Sequence, residues 1–170
     1  MGKVQAGNRQ LRGRTVPFDA EVVTKARNYM RLGAAANVRL FRATGGRLGS
    51  RWRVGRKFLR GVPVCLVTTR GRRSGLERTV PLLFLRDGRD VVIVASQGGM
   101  PRHPDWYFNL TAHPEVRIEL RGETLDAVAR VADPDERARL WPRLLELYPS
   151  FAVYAARAER EIPVVICSPR

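Results

Sequence analysis

The chain has 170 residues, 44% of them hydrophobic, enough for one domain with a true core and too little for two. Its formal charge of +15 is concentrated in residues 1–61, which hold 15 Lys/Arg against 2 Asp/Glu, while residues 62–170 hold 16 against 14. Such a basic arm attracts nucleic acid, an anionic membrane surface or an acidic cofactor alike. With no apolar run near the roughly 18 residues of a membrane span and no secretion signal, a cytoplasmic protein is expected.

Residues 1–18 are polar, rich in Gly and Arg and without period, which predicts a flexible basic N-terminus. From Asp19, the residues Val22, Val23, Ala26, Tyr29 and Met30 recur at helical spacing opposite Lys25, Arg27 and Arg31. This predicts an amphipathic helix that Gly33 can end. A second apolar-basic piece follows around Val38, Leu40 and Phe41, and residues 44–61 mix glycines with basic groups as an irregular connector, so 19–61 reads as a basic helical extension.

The organised domain is expected over 62–170. Val62–Thr69 and Arg78–Arg86 read as two strands around the turn Arg70–Glu77, and Asp87-Gly88 leads into a third strand, Val91–Ser96. Pro104–Leu110 suggests a short helix, and Val116–Leu120 with Thr124–Val131 a further hairpin. Asp133-Pro134-Asp135-Glu136 carries the signals of a capped helix start ahead of Leu140, Trp141, Leu144, Leu145 and Tyr148, with Pro142 expected to kink it or begin a new turn. A shorter helix through Phe151–Ala158 and a strand Ile162–Cys167 complete the order β-β-β-α-β-β-α-β. Short hairpin-linked strands with few helices favour a small antiparallel barrel over a parallel sheet. Cys65 and Cys167 lie in aliphatic strand-like runs without C-x-x-C spacing, and read as reduced core thiols.

The segment Thr68-Thr69-Arg70-Gly71-Arg72-Arg73-Ser74-Gly75 holds the clearest chemistry: two glycines let the backbone curl round an anion while arginines and hydroxyls donate charge-assisted hydrogen bonds. The plain alternative is a soluble hairpin tip. Ser96-Gln97-Gly98-Gly99 at a strand end could meet a polar ring edge or be an ordinary loop. Trp106 and Tyr107 could wall a planar ring or serve as core, and Tyr148, Phe151 and Tyr154 could line a site or cap the core. His103 and His113 have no metal-ligand spacing, so no metal is expected, and no nucleophile elbow, carboxylate pair or Cys-His signature appears.

Residues 62–167, through VPVCLVTTRGRRSGLERTVPLLFLRDG, VVIVASQGGMPRHPDWYFNL and WPRLLELYPSFAVYAARAEREIPVVIC, resemble the deazaflavin (F420)-dependent nitroreductase and quinone reductase family. The resemblance implies an α+β, mainly β fold, the FMN-binding-like split β-barrel, with about six mostly antiparallel strands, peripheral helices and the N-terminal amphipathic helix. It implies coenzyme F420 as cofactor, with FMN as the alternative the same barrel accepts.

By the same matching, Arg72, Arg73, Ser74 and Arg78 hold phosphate. Thr79, Val80, Pro81, Leu82 and Leu83 with Val94, Ala95, Ser96 and Gln97 line the cofactor, and Asp105, Trp106, Tyr107, Phe108 and Asn109 form the opposite wall. Tyr148, Phe151 and Tyr154 form an aromatic lid. Ser96, Tyr148 or Tyr154 orients substrate or assists protonation. Gln97 departs from the lysine of better-known members, and Leu83 and Phe151 from tyrosines.

The implied reaction is hydride transfer from the reduced deazaflavin to a quinone, nitroaromatic or similar conjugated acceptor. The basic N-terminal helix resembles the membrane-facing region of some members, so peripheral contact with an anionic membrane at the inner face of the cell membrane is a further expectation, in a monomer or homodimer. Two rivals from other classes are a non-catalytic barrel carrying a fatty acid, haem or tetrapyrrole, and a nucleic-acid-binding protein. The second lacks any recognition module, so no nucleic acid is expected.

Overall fold

A computed structural model describes residues 33–52 and 61–170. The expected flexible N-terminus, the amphipathic helix from Asp19 to Met30 and most of its basic side lie outside the described residues.

Strand alternation dictates the architecture. In β2 (Val62–Arg70) Cys65 and Val67 face inward, and so do Val91 and Ile93 of β4 (Asp90–Val94), Val116 and Ile118 of β5 (Glu115–Leu120), Ala127 and Ala129 of β6 (Glu123–Val131), and Val165 and Cys167 of β7 (Val164–Pro169). With β3 (Glu77–Asp87) these strands close an antiparallel barrel in the order β2-β3-β4-β7-β6-β5, because β2 also pairs with β5. A two-residue strand β1 (Arg51–Trp52) adds to β2, a piece of order inside the expected connector. The two cysteines are free and buried in this lumen, as expected.

The opposite faces of β4 and β7 form a second core. Val92, Val94, Val164 and Ile166 pack against Leu140 and Leu144 of α3 (Pro134–Leu147) and Phe151 of α4 (Ser150–Arg157). Fully burying each leucine contributes about 2 kcal/mol. The start of α3 is fixed as the sequence foretells: the Asp133 carboxylate accepts the Glu136 amide at 2.8 Å and Glu136 accepts the Asp133 amide at 3.0 Å.

Two local expectations are corrected, and one of the two alternatives at Pro142 is removed. Gly33 does not end a helix: the chain is helical over 33–43 (α1), where a glycine costs only about 1 kcal/mol and the buried Phe41 anchors the piece. Pro142 starts no new turn, since α3 runs through it to Leu147. The third strand stops at Val94 rather than Ser96, because Gln97–Gly99 turn sharply as a short 3-10 segment.

One irregularity positions everything that follows. Residues 77–83 of β3 pair with β2, but pairing with β4 begins only at Phe84 opposite Ile93. The barrel is therefore split along the second edge of Glu77–Leu83, which has no strand partner among the described residues. Pro81, which lacks an amide hydrogen, sits on this edge.

Candidate active site

The turn after β2 is built by its glycines and by one asparagine. The Gly75 amide donates to the Gly71 carbonyl at 2.7 Å and the Gly71 amide to the Leu76 carbonyl at 2.9 Å. A Cβ on Gly71 would lie 2.8 Å from Ser74 Oγ and 3.0 Å from the Leu76 oxygen, so only glycine fits. From α2 (Asp105–Ala112), the buried Asn109 accepts the Arg72 amide at 3.2 Å through Oδ1 and donates to Thr69 Oγ at 3.3 Å. Asn109 thus braces the turn rather than offering its own side chain to a ligand.

The arginines are arranged in two ways. The Arg72 guanidinium lies over the Phe108 ring, 5.0 Å from its centroid, and 3.9 Å from the Asp105 carboxylate, so it is held in place before any ligand arrives. Arg73 has no partner among the described residues, and Arg78 reaches only the neighbouring Glu77 carbonyl at 3.2 Å. Both are exposed, as is Ser74, whose hydroxyl accepts the Leu76 amide at 3.4 Å. Cations without carboxylates at a hairpin tip leave an anion-sized deficit of negative charge.

The remaining expected residues fall on both sides of the split. Val80 and Leu82 pack half-buried against the lumen core and Leu83 against the second core, so β3 presents two different faces beside one open edge. Of the opposite wall, Trp106 is core at 7% exposure, whereas Asp105, Tyr107 and Phe108 keep surface free. Val94 and Ala95 are buried and lead into the turn at Gln97, whose φ of 46° is the left-handed conformation that non-glycine residues rarely adopt. The Gln97 Oε1 atom is buried with no hydrogen-bond partner among the described residues. The Ser96 hydroxyl makes no hydrogen bond among them either.

The aromatic trio is one stacked cluster. Tyr148 meets Phe151 with centroids 5.1 Å apart, and Phe151 continues to Trp141 at 6.4 Å. Tyr148 and Phe151 are buried, so the core-cap alternative describes them, while Tyr154 is half-buried and its hydroxyl lies 3.2 Å from that of Tyr148. Burial, followed by that hydrogen bond, pushes the Tyr154 phenol up to about 12. Tyr154 therefore stays protonated at neutral pH and can donate a hydrogen bond without ionising.

Sequence reasoning gave His103 no role and passed over Arg160. His103 stacks on Tyr107 at 4.8 Å, with Nδ1 buried and unpaired, and burial with the nearby Arg160 charge holds its pKa below the usual range. Arg160 itself binds the loop that carries Ser96 and Gln97. Neither sits in a motif; an arginine in a charged run after a helix reads as solvated.

A cleft of about 730 Å³ opens on the other side of the turn, between Arg70, Arg117, Arg170, Glu77, Glu115 and Asp126. Its charges largely cancel internally, with Arg117 3.5 Å from Asp126 and Arg170 3.2 Å from Glu115. It holds none of the residues expected to bind cofactor, and a neutral cleft attracts an anionic ligand less than the unpaired Arg73 does.

Comparison with known proteins places this arrangement. The family profile described as F420H(2)-dependent quinone reductase matches residues 34–169. A Mycobacterium tuberculosis protein named an F420H(2)-dependent quinone reductase is 36% identical over 135 residues, covering 77% of this chain and 86% of its own. Another, provisionally given the same name, is 41% identical over 118 residues, 69% of this chain and 99% of that one. Among solved structures, an F420-H2 dependent reductase superposes with a TM-score of 0.59 at 40% identity, over 62% of this chain and 94% of that chain. A structure titled as a domain-swapped dimer matches with the same TM-score and identity, over 62% of this chain and 80% of its own.

Proposed function

The chain belongs to the F420H(2)-dependent quinone reductase family, and from that premise we propose that it reduces a quinone or a similar conjugated acceptor with F420H2 bound along the split of the barrel. The observation that carries the placement is the conjunction of a β3 edge at 77–83 without a strand partner and an arginine turn in which Arg73 and Arg78 have no carboxylate partner among the described residues. A deazaflavin with a phosphate and an acidic tail fits such a site at both ends. The turn supplies the Arg72, Arg73, Ser74 and Arg78 donors. The strand edge and the free polar atoms of Ser96 and Gln97 suit the polar rim of a flat ring.

When bound, the reduced deazaflavin supplies the hydride; the protein's contribution is placement and electrostatics. Arg72, held against Phe108 and Asp105, fixes the anionic end at little entropic cost. Val80, Leu82 and Leu83 with Tyr107 and Phe108 offer apolar walls that exclude water. Tyr154, neutral and hydrogen-bonded to Tyr148, is placed to donate to an acceptor oxygen, with Ser96 as the second candidate donor. Val94, Ala95, Thr79 and Pro81 contribute backbone and shape. Peripheral contact of the N-terminal region with anionic membrane, and a homodimer like the domain-swapped relative, extend the same proposal. Sedimentation with anionic vesicles and light scattering test them.

The direct test is titration of the purified protein with F420, beside FMN and beside an Arg73→Ala, Arg78→Ala double variant. Losing two charge-assisted contacts should weaken F420 binding by about two powers of ten. Equal binding by wild type and variant would remove the turn from the site, and failure to bind F420 at all would remove the functional reading.

A further inference from the structure

Arg160 follows α4 and points back under the loop that leaves β4. Its Nε donates to the Met100 carbonyl at 3.1 Å, and Nη2 lies 3.2 Å from the Ala95 carbonyl, 3.3 Å from that of Ser96 and 3.3 Å from that of Arg102. Nη1 donates to the Glu161 carbonyl at 3.2 Å. The segment 95–102 thus wraps one guanidinium with four of its carbonyl oxygens. No carboxylate pairs with Arg160 among the described residues, and burial holds its pKa below the ordinary arginine range. Arg160 is half-buried and its hydrogen bonds all go to backbone carbonyls, so the rigid guanidinium fork fixes the direction of those carbonyls as well as closing the loop.

The peptide plane shows what it achieves. In a trans peptide the carbonyl and the amide hydrogen point in opposite directions. Holding the Ala95 and Ser96 carbonyls on Arg160 therefore turns the Ser96 and Gln97 amides away from the guanidinium. Those two amides make no hydrogen bond among the described residues, whereas Ala95, Gly99 and Met100 donate to Pro163, Ser96 and Gln97. Gln97, which carries the second of these amides, has the left-handed φ of 46°.

We propose that Arg160 is a positioning residue: by gripping the carbonyls of Ala95, Ser96, Met100 and Arg102 it presents the Ser96 and Gln97 amides as a donor pair for a carbonyl oxygen on the rim of the bound ring. This rests on the functional reading above. The same loop also packs against α4, because a Cβ on Gly99 would stand 2.8 Å from the Tyr154 carbonyl oxygen.

Arg160→Met removes every donor while keeping much of the packing; Arg160→Lys keeps the charge but not the five-donor fork. Arg143→Met, which breaks a 2.6 Å ion pair to Asp87 far from the loop, is the control for general destabilisation. Two readouts are taken: hydrogen exchange over 95–102 in the ligand-free protein, and the F420 Kd by fluorescence. Both Arg160 variants should speed exchange in that segment. Arg160→Met should raise the Kd about tenfold and Arg160→Lys by a smaller factor, with the Arg143 variant within about twofold of wild type. Faster exchange with unchanged Kd in both Arg160 variants would overturn the proposal and leave Arg160 a structural strut. If Arg160→Met fails to fold, the lysine variant alone decides. A wild-type protein that does not bind F420 defeats the functional reading first, and this inference with it.

Discussion

Gly98 and Gly99 make a matched pair for testing whether the loop after β4 and helix α4 act as one body. Both lie in the left-handed region, with φ of 65° and 77°. A Cβ on Gly98 would meet nothing within 4 Å, but on Gly99 it would stand 2.8 Å from the Tyr154 carbonyl oxygen and 3.1 Å from its Cα. Gly98→Ala therefore bears the left-handed backbone penalty alone, about 1 kcal/mol. Gly99→Ala bears that penalty and must also push two stretches of backbone apart, a further cost of about 2 kcal/mol. Urea unfolding should separate the variants by that second amount. The F420 titration should show Gly99→Ala weakened well beyond Gly98→Ala, because the displaced loop carries Ser96 and Gln97. Equal losses in both assays would mean that contact with α4 contributes nothing, and the coupling argument would be wrong.

Asn109→Leu should cost about 2 kcal/mol in urea unfolding by stranding the Arg72 amide and Thr69, and should weaken F420 binding without touching a charge; unchanged binding would show the turn holds its own shape. The Arg139 and Arg143 guanidiniums hold the Asp87 carboxylate down to about 2, from an ordinary value near 3.8. A depressed folded-state pKa stabilises above the unfolded value and is lost as pH falls through the folded one, so this contribution should fade between about pH 4 and pH 2. It amounts to about 1 kcal/mol once solvent screening of the exposed arginines is allowed for, and Asp87→Asn should flatten the stability profile over that window. With the Tyr154 phenol raised to about 12, quinone reduction should show no tyrosine ionisation at neutral or mildly alkaline pH, and Tyr154→Phe should lower kcat more than it alters F420 binding. An inflection near the ordinary tyrosine value that the variant abolishes would contradict this placement.

Much of the fold was legible because its signals are local. Asp87-Gly88 marks a hairpin, Asp133 to Glu136 marks a helix start, and the short apolar, β-branched run Val62–Thr69 marks a buried strand. The arginine turn was legible for the same reason: glycine spacing and charge stand together within eight residues. What escaped depends on distance along the chain. Arg160 grips carbonyls about sixty residues away, and Asn109 meets Thr69 and Arg72 across the barrel mouth. The left-handed Gln97 and the split at 77–83 follow from where β4 stops, which no local pattern sets. Gly33 misled because propensity is weak beside the packing of Phe41.

The most direct test of the central claim is to mix the purified protein with F420H2 and a soluble quinone and follow the return of the oxidised cofactor's absorbance, with the Arg73→Ala, Arg78→Ala variant alongside. Catalysed oxidation that requires both protein and quinone, and that the variant largely loses, is the outcome expected of a reductase working in the split of this barrel. Tight F420 binding with no quinone-dependent oxidation would contradict it, and would make the barrel a binder of the cofactor rather than its enzyme.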